Sequence, residues 1–218
     1  MAPLSLVVVV GMVREARIVA GEGLTVLIGG GQSARLVRNI EKAIVSGAAG
    51  LVSFGLCGAL NPELEAGDIV VDSDDPEWLD QLRAAVPEAY AGRVLGGDEM
   101  IVSAREKTRL LHESGADVVD MESHVVTACA QKSGVPYAIV RSVSDAADRA
   151  LPRAVMAGMK PDGETNLAGV LAALARRPWE LSALLRTARE AQAAFDSLVR
   201  TRVALGARLA FPPIEDRR

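Results

Sequence analysis

Asp120 and Glu122 flank Met121 in the stretch VVDMESHVVTA (118–128), breaking an apolar run that heads into a helix-like segment. A buried carboxylate is costly unless it is paired, so acids here are either surface groups at a helix start or working groups. The first reading is physically sound, because the positive end of a helix favours acids in its first turn. Other polar residues bear on the choice: Glu15 follows the apolar run 6–10, a glycine-rich turn spans 55–60, and Arg141, Ser144 and Asp145 close YAIVRSVSD (137–145). Together these types suit loss of a leaving group from a sugar carbon. An acid beside a ring nitrogen helps a heterocycle depart. A carboxylate on the ribose hydroxyls helps the sugar tolerate positive charge. Two separated carboxylates are the usual arrangement when water attacks a glycosidic centre.

The elements that would position these groups alternate in type. Leu6–Val10 is an unbroken apolar run, as expected of a strand buried on both faces. LTVLIGGG (24–31), GLVSFGLCGAL (50–60), GDIVVD (67–72) and YAIVRSVSD read as further strands, and GRVLGGDEMIV as strand and loop. Leu36, Val37, Ile40 and Ile44 recur at helical spacing, and PEWLDQLRAAV reads as a helix. A helix is expected over 123–133, stopped by KSGVP. Beyond Asp148, LPRAVMAGMKPDGETN has the composition of a loop or lid, and alanine-rich helices follow at 166–175 and 178–204. In the second of these, Leu181, Leu184, Leu185, Ala188, Phe195, Leu198 and Val199 form one apolar stripe. This pattern predicts one α/β domain over residues 1–210 with a parallel or mixed sheet, and a loose tail at 211–218. Open α/β sheets bind ligands beyond the C-terminal strand ends, and four distant segments deliver polar residues there.

Composition narrows the partners. The 218 residues carry a formal net charge of -4 and 3% aromatics, which argues against nucleic acid. Two cysteines, Cys57 and Cys129, make a weak disulfide framework, so a reduced cytosolic protein is expected, with both as small core residues. His112 and His124 offer no zinc spacing, so no metal and no cofactor are expected. LSLVVVVG lacks a basic leader, and no segment reaches the ~18 apolar residues of a spanning helix. GGGQSA (29–34) is neither a P-loop nor a dinucleotide fingerprint, and reads as tight packing near a sugar. Met156 and Met159 read as packing residues or pocket lining.

Over most of residues 4–150 the sequence resembles the nucleoside phosphorylase/nucleosidase superfamily, in particular the nucleosidases of methylthioadenosine and adenosylhomocysteine. The likeness is carried by VVVVGMVREARI, GLCGALNPELEAGDIVV, GGDEMIV, VVDMESHVV and YAIVRSVSDAAD. It implies a single three-layer domain with a mixed central sheet flanked by helices. It implies that Glu15 activates the attacking water, that Met121 and Glu122 pack under and grip the ribose, and that Asp145 serves the purine N7. Ser144 would sit beside the base, Arg141 near the nucleophile, and Met100 and Ile101 along the base, with Met100 standing where many relatives have an aromatic residue. Leu56 and Gly58 belong to the glycine turn. GMVREARI, FGLCGAL and the arginine-rich C-terminal helix further resemble the hopanoid-associated group, which implies adenosylhopane as substrate and adenine as product.

Departures from the family pattern bear on the acceptor. Where phosphorylases place an arginine and a hydroxyl residue around the glycine turn, this chain has Ser53 and Leu56, and leucine donates no side-chain hydrogen bond. Hydrolysis is expected, with phosphorolysis as the competing reaction and Arg14, Arg17 or Arg35 as the phosphate contacts it would use. Two further functions fit the same residues: a salvage nucleosidase of small thio-nucleosides, and a non-catalytic protein that binds an adenine nucleoside. A homodimer follows from the resemblance. Seven arginines against three acids between Arg176 and Arg208 would allow transient contact with an anionic membrane surface, peripheral to the inner membrane.

Overall fold

The computed structural model describes residues 5–158, 164 and 166–212. The valine run forms β1 (Ser5–Val10), followed by β2 (Leu24–Ile28), β3 (Ala48–Ala59), β4 (Ile69–Ser73), β5 (Tyr90–Ala91), β6 (Val94–Gly96), β7 (Val118–Asp120) and β8 (Tyr137–Asp145). They form a mixed sheet in the order β2-β1-β3-β8-β4-β5, with β7 on the end of β3 and β6 on β7. β1, β2, β3 and β8 run parallel, whereas β4 is antiparallel to β8 and β7 is antiparallel to β3.

The unbroken apolar runs have a direct cause. Successive strand side chains point to opposite faces, and both faces of this sheet are covered. Val7, Val9 and Leu51 pack with α2 (Ser33–Val45) and α5 (Ser123–Ser133), whereas Leu6, Val8, Val10, Val52 and Phe54 pack on the other side. That second layer holds α3 (Pro76–Ala85), through Trp78 and Leu82, and α8 (Leu181–Ala204), through Phe195 and Leu198. The single α/β domain with a mixed, helix-flanked sheet is the architecture expected from the sequence.

Two helices lack a clear signature in the sequence: α1 (Val13–Val19) and α4 (Ala104–Ser114). The second begins at Ser103, whose hydroxyl accepts from the Glu106 N–H at 3.0 Å, and ends at Gly115 in the left-handed conformation, φ 64°. The stretch with loop composition contains α6 (Arg153–Ala157); α7 (Leu167–Arg176), at the position expected for the first alanine-rich helix, and a 3-10 turn at Pro178–Glu180 follow it. Residues 159–163 of that stretch, including Met159, lie outside the described residues. Met156 is exposed rather than packed. The α8 stripe divides: Phe195 and Leu198 are buried, whereas Leu181, Leu185 and Val199 remain exposed.

At the C-terminus, Phe211 and Pro212 are buried rather than loose. Phe211 packs edge-on against Trp78 with ring centroids 4.8 Å apart, and the Trp78 indole N–H donates to the Leu209 carbonyl at 3.0 Å. Residues 213–218 lie outside the described residues. Cys57 and Cys129 are both buried and free. Among the described residues no helix is long and apolar enough to cross a membrane.

Candidate active site

One edge of β3 is shared by two strands that leave a gap between them. β1 pairs with β3 only as far as Ser53, and β7 takes up pairing at Gly58. Along the other edge β8 pairs continuously, with a register shift at Cys57/Gly58 that sets Gly58 opposite Asp145. Residues 54–57 therefore present unpaired backbone on one side, and such groups need partners when buried. Glu15 and Arg141 supply them. The Leu56 N–H donates to Glu15 Oε1 at 2.8 Å, and Arg141 Nη1 donates to the Leu56 carbonyl at 3.2 Å.

Glu15 is held from its own helix as well. It is the third residue of α1, and its Oε2 accepts the N–H groups of Gly11 and Met12, each at 2.8 Å. That is half of a capping box, the structural role open to a charged helix start. Yet the carboxyl also lines a cavity and is 2% exposed. Burial pushes its pKa up, against the lowering effect of Arg141 and the three N–H donors. A side chain at Gly55 could not be accommodated: a Cβ there would lie 2.5 Å from Glu15 Oε1 and 2.8 Å from Arg141 Nη1.

Arg141 is fully buried behind the cavity and does not line it. Its Nε lies 2.6 Å from Asp120 Oδ2, off the N–H direction, so the contact is an ion pair without a well-formed hydrogen bond. Its Nη2 donates to the hydroxyls of Ser53 at 2.6 Å and Ser123 at 3.3 Å, and lies 3.5 Å from Glu122 Oε2. Burial works against its charge, but Asp120, Glu122 and Glu15 outweigh it and raise the guanidinium pKa.

The two acids around Met121 thus divide. Asp120 is structural: besides Arg141, its Oδ1 accepts the N–H groups of Glu122 at 3.2 Å and Ser123 at 2.9 Å, and its Oδ2 accepts the Ser123 hydroxyl. It starts α5 and holds the arginine. Glu122 faces the cavity with its neighbour Met121. Burial drives its carboxyl up to about 7, opposed by Arg141 and reinforced by the nearby charges of Asp120 and Glu15. The triple glycine is packing, as expected: a Cβ on Gly29 would meet Glu122 Cγ at 3.1 Å, and Gly31 lines the cavity near Met121.

Asp145, at the end of β8, is buried and lines the same cavity. Its Oδ1 accepts the Ser144 hydroxyl at 2.7 Å, and its Oδ2 accepts from the Lys107 ammonium. Lys107, on α4, is fully buried and does not stand out in the sequence. A signal was present in its spacing: Lys107, Leu110 and Leu111 share one helix face, and the two leucines pack on Leu60 and Val119.

The cavity encloses about 380 Å³. Its floor brings together Glu15, Leu56, Gly58, Met121, Glu122, Ser144 and Asp145, with Met100 and Ile101 on one wall. One arm is apolar, built from Leu151 and Val155, then Val170 of α7, Leu184, Ala188 and Phe195 of α8. Arg14, Arg17 and Arg35, the phosphate contacts that phosphorolysis would use, do not line it. Arg14 instead donates to Gln192 at 2.7 Å and stacks over Phe195 at 3.7 Å, and Arg35 donates to the Gly29 carbonyl at 3.2 Å.

Comparisons with known proteins bear on the fold that carries this site. The family model described as "Phosphorylase superfamily" matches residues 75–176. A 5′-methylthioadenosine/S-adenosylhomocysteine nucleosidase of Treponema pallidum is 34% identical over 82 residues, 34% of this chain and 30% of the relative. An aminodeoxyfutalosine nucleosidase of Helicobacter pylori is 40% identical over 138 residues, 52% of this chain and 59% of the relative. The matches thus span less than two thirds of those relatives' length. Among solved structures, futalosine hydrolase of Helicobacter pylori superposes with a TM-score of 0.59 at 18% identity, covering 91% of this chain and 97% of that one. The methylthioadenosine/adenosylhomocysteine nucleosidase of the same organism, bound to butyl-thio-DADMe-Immucillin-A, gives 0.61 at 15% identity over 94% and 99%. Residues 75–176 thus match the phosphorylase superfamily model, and the chain as a whole has the fold of these solved nucleosidases.

Proposed function

We propose that the chain is a nucleosidase that hydrolyses the N-ribosidic bond of an adenine nucleoside and releases adenine. The observation that carries the choice of water over phosphate is the occupation of the anion-binding groups by the protein's own carboxylate. The N–H groups of Gly11, Met12 and Leu56 all donate to Glu15. Arg141 and Ser53 are likewise committed, to Asp120 and to each other. A phosphate would have to enter beside Glu15 and Glu122, where these donors are already engaged, and like charges at close range repel.

Each residue then has a task. Glu15 takes one proton of the attacking water, whose oxygen bonds to the anomeric carbon as the bond to the base nitrogen breaks. Burial raises its pKa, which makes it a stronger base than an exposed carboxylate. Glu122 grips the ribose hydroxyls over Met121 and stabilises the positive charge that develops on the sugar. Asp145, with Ser144, serves the purine N7, while Met100 and Ile101 line the base and Leu56 and Gly58 border it. Arg141 holds Glu15, Glu122 and Leu56 in register from behind.

The test is turnover of methylthioadenosine in heavy-oxygen water, with and without phosphate. Expected is labelled free sugar and unlabelled adenine at a rate independent of phosphate. A strict phosphate requirement and a sugar 1-phosphate product would replace hydrolysis by phosphorolysis. Binding in calorimetry without adenine release would make the chain a non-catalytic binder.

The solved relative's butyl-thio ligand supports a substrate with an apolar 5′ group, as in methylthioadenosine. A second reading, adenosylhopane, draws on the apolar arm between α7 and α8, and would bring the chain to a membrane surface. Competition between the two nucleosides in detergent, read as adenine release, separates them. A preference of orders of magnitude for methylthioadenosine removes the hopanoid reading. We also propose a homodimer.

A further inference from the structure

We propose that Lys107 is a positioning residue for the leaving-group acid and the source of the proton that Asp145 passes to the departing base. The inference rests on the hydrolytic reading above and adds a residue to it.

Lys107 is the one lysine among the described residues that is fully buried. A methionine or leucine would cover the same apolar face of α4 without desolvating a charge, so packing does not explain an ammonium here. Its Nζ makes two contacts, both where β8 runs out over the cavity: Asp145 Oδ2 and the Ala146 carbonyl at 2.7 Å. The carbonyl fixes Nζ on one side, so the carboxylate is held by its Oδ2, and the Ser144 hydroxyl occupies Oδ1 at 2.7 Å. The single Ser144 hydrogen is shared between Oδ1 and the Cys57 carbonyl at 3.0 Å, whereas the ammonium has three hydrogens and holds Oδ2 with one of them.

The ammonium is the proton-rich group in direct contact with Asp145, so in this proposal the proton for the base starts on Nζ. An N–H bond of the ammonium breaks as an O–H bond forms on Asp145; that O–H bond breaks as N–H forms on the purine ring. Lysine is left as a neutral amine and the carboxylate as it began. When adenine leaves and water enters, the amine takes a proton from solvent, which restores the pair. Lysine can perform this exchange, whereas an arginine in its place would keep its charge and hydrogen bonds but release no proton. The other titratable groups facing the pair are few. The Cys57 thiol on β3 is pushed well up by burial and stays neutral. Arg141 and Asp120 neutralise each other behind β8, and Arg149, on the segment after β8, is paired with Glu190 of α8.

The test uses leaving groups of different need. Adenine must be protonated to depart; 4-nitrophenolate departs as a stable anion. Wild type, Lys107→Met and Lys107→Arg are assayed on methylthioadenosine and on 4-nitrophenyl β-D-ribofuranoside. Expected for both variants is a loss of about 100-fold or more in kcat on methylthioadenosine, with the nitrophenyl riboside cleaved within about 3-fold of wild type. In an Asp145→Asn background, Lys107→Met should cost nothing further on the nucleoside, since the two act as one unit. Equal losses on both substrates, or no loss on either, overturn the proposal and leave Lys107 a structural residue. Full nucleoside activity in Lys107→Arg overturns the proton supply. Failure of wild type to release adenine from any adenine nucleoside would refute the hydrolytic reading itself, a different result from all of these.

Discussion

Glu122 changes charge near neutral pH, and this has a consequence for stability that is separate from chemistry. Its carboxyl is raised from the ordinary 4.5 to about 7 in the folded chain. Between those values the unfolded chain gives up the proton and the folded chain keeps it. Stability therefore falls as pH rises from about 4.5 to about 7 and levels off above, by about 3 kcal/mol at most for a shift of that size. Glu122→Gln removes the penalty. Its Tm should match wild type at pH 4.5 and exceed it at pH 8, while activity drops because the grip on the ribose is weakened. A variant Tm that tracks wild type across the whole range would mean that Arg141 already neutralises the charge. Asp145→Asn should cost about 10²–10⁴ in adenine release, the range for lost general-acid help, and should also lower the Tm, because the buried Lys107 ammonium loses its counter-ion. At this scale the sequence was informative where acids stand at apolar strand ends, as Glu122 and Asp145 do. It was silent on Lys107 because AREKTRLLHES is so charged that one inward-facing lysine looks like the solvated rest.

At the scale of elements, the site depends on how α5 starts. Asp120 receives the first N–H groups of that helix and also pairs with Arg141. Asp120→Ala would leave a buried guanidinium short of its closest counter-ion and the helix without its acceptor. Removing one member of a buried pair costs about 3–5 kcal/mol, so this variant should melt well below wild type. Full stability in Asp120→Ala would show that Glu122 and the serines suffice to hold Arg141. The alternating strands and helices were legible because both faces of the sheet are covered and leave continuous apolar runs. α1 and α4 were less so, since α1 has seven residues, too short to display a period, and α4 carries few apolar residues. Nor does any local pattern reveal the gap on β3 that receives Glu15. It arises from where β1 stops and β7 begins, strands more than 100 residues apart in the chain.

On the scale of the whole molecule, the second helical layer is the unfinished part. α7 has no buried residue, and Leu167, Leu171, Leu181 and Leu185 stand exposed around the 3-10 turn that carries Trp179. Contiguous apolar side chains of this kind mark surfaces that are covered in use. For the homodimer proposed above, sedimentation at micromolar concentration should give twice the 22.9 kDa chain mass. Leu171→Glu should shift that equilibrium toward the monomer if this face is the one covered. A wild-type monomer with full activity would exclude dimerisation as a requirement.

The two tryptophans occupy opposite extremes of environment. Trp78 is completely shielded beneath Phe211, whereas Trp179 is 71% exposed at the rim of α7 and α8. Acrylamide should consequently extinguish only one of two emission components, and the quenchable one lies at the longer wavelength. Loss of the C-terminal clasp would red-shift the shielded component without touching its exposed counterpart. Occlusion of the helical rim, by whatever covers it, would blue-shift the quenchable one alone. The chain thus carries its own pair of optical reporters, one for closure of the core and one for events at the rim.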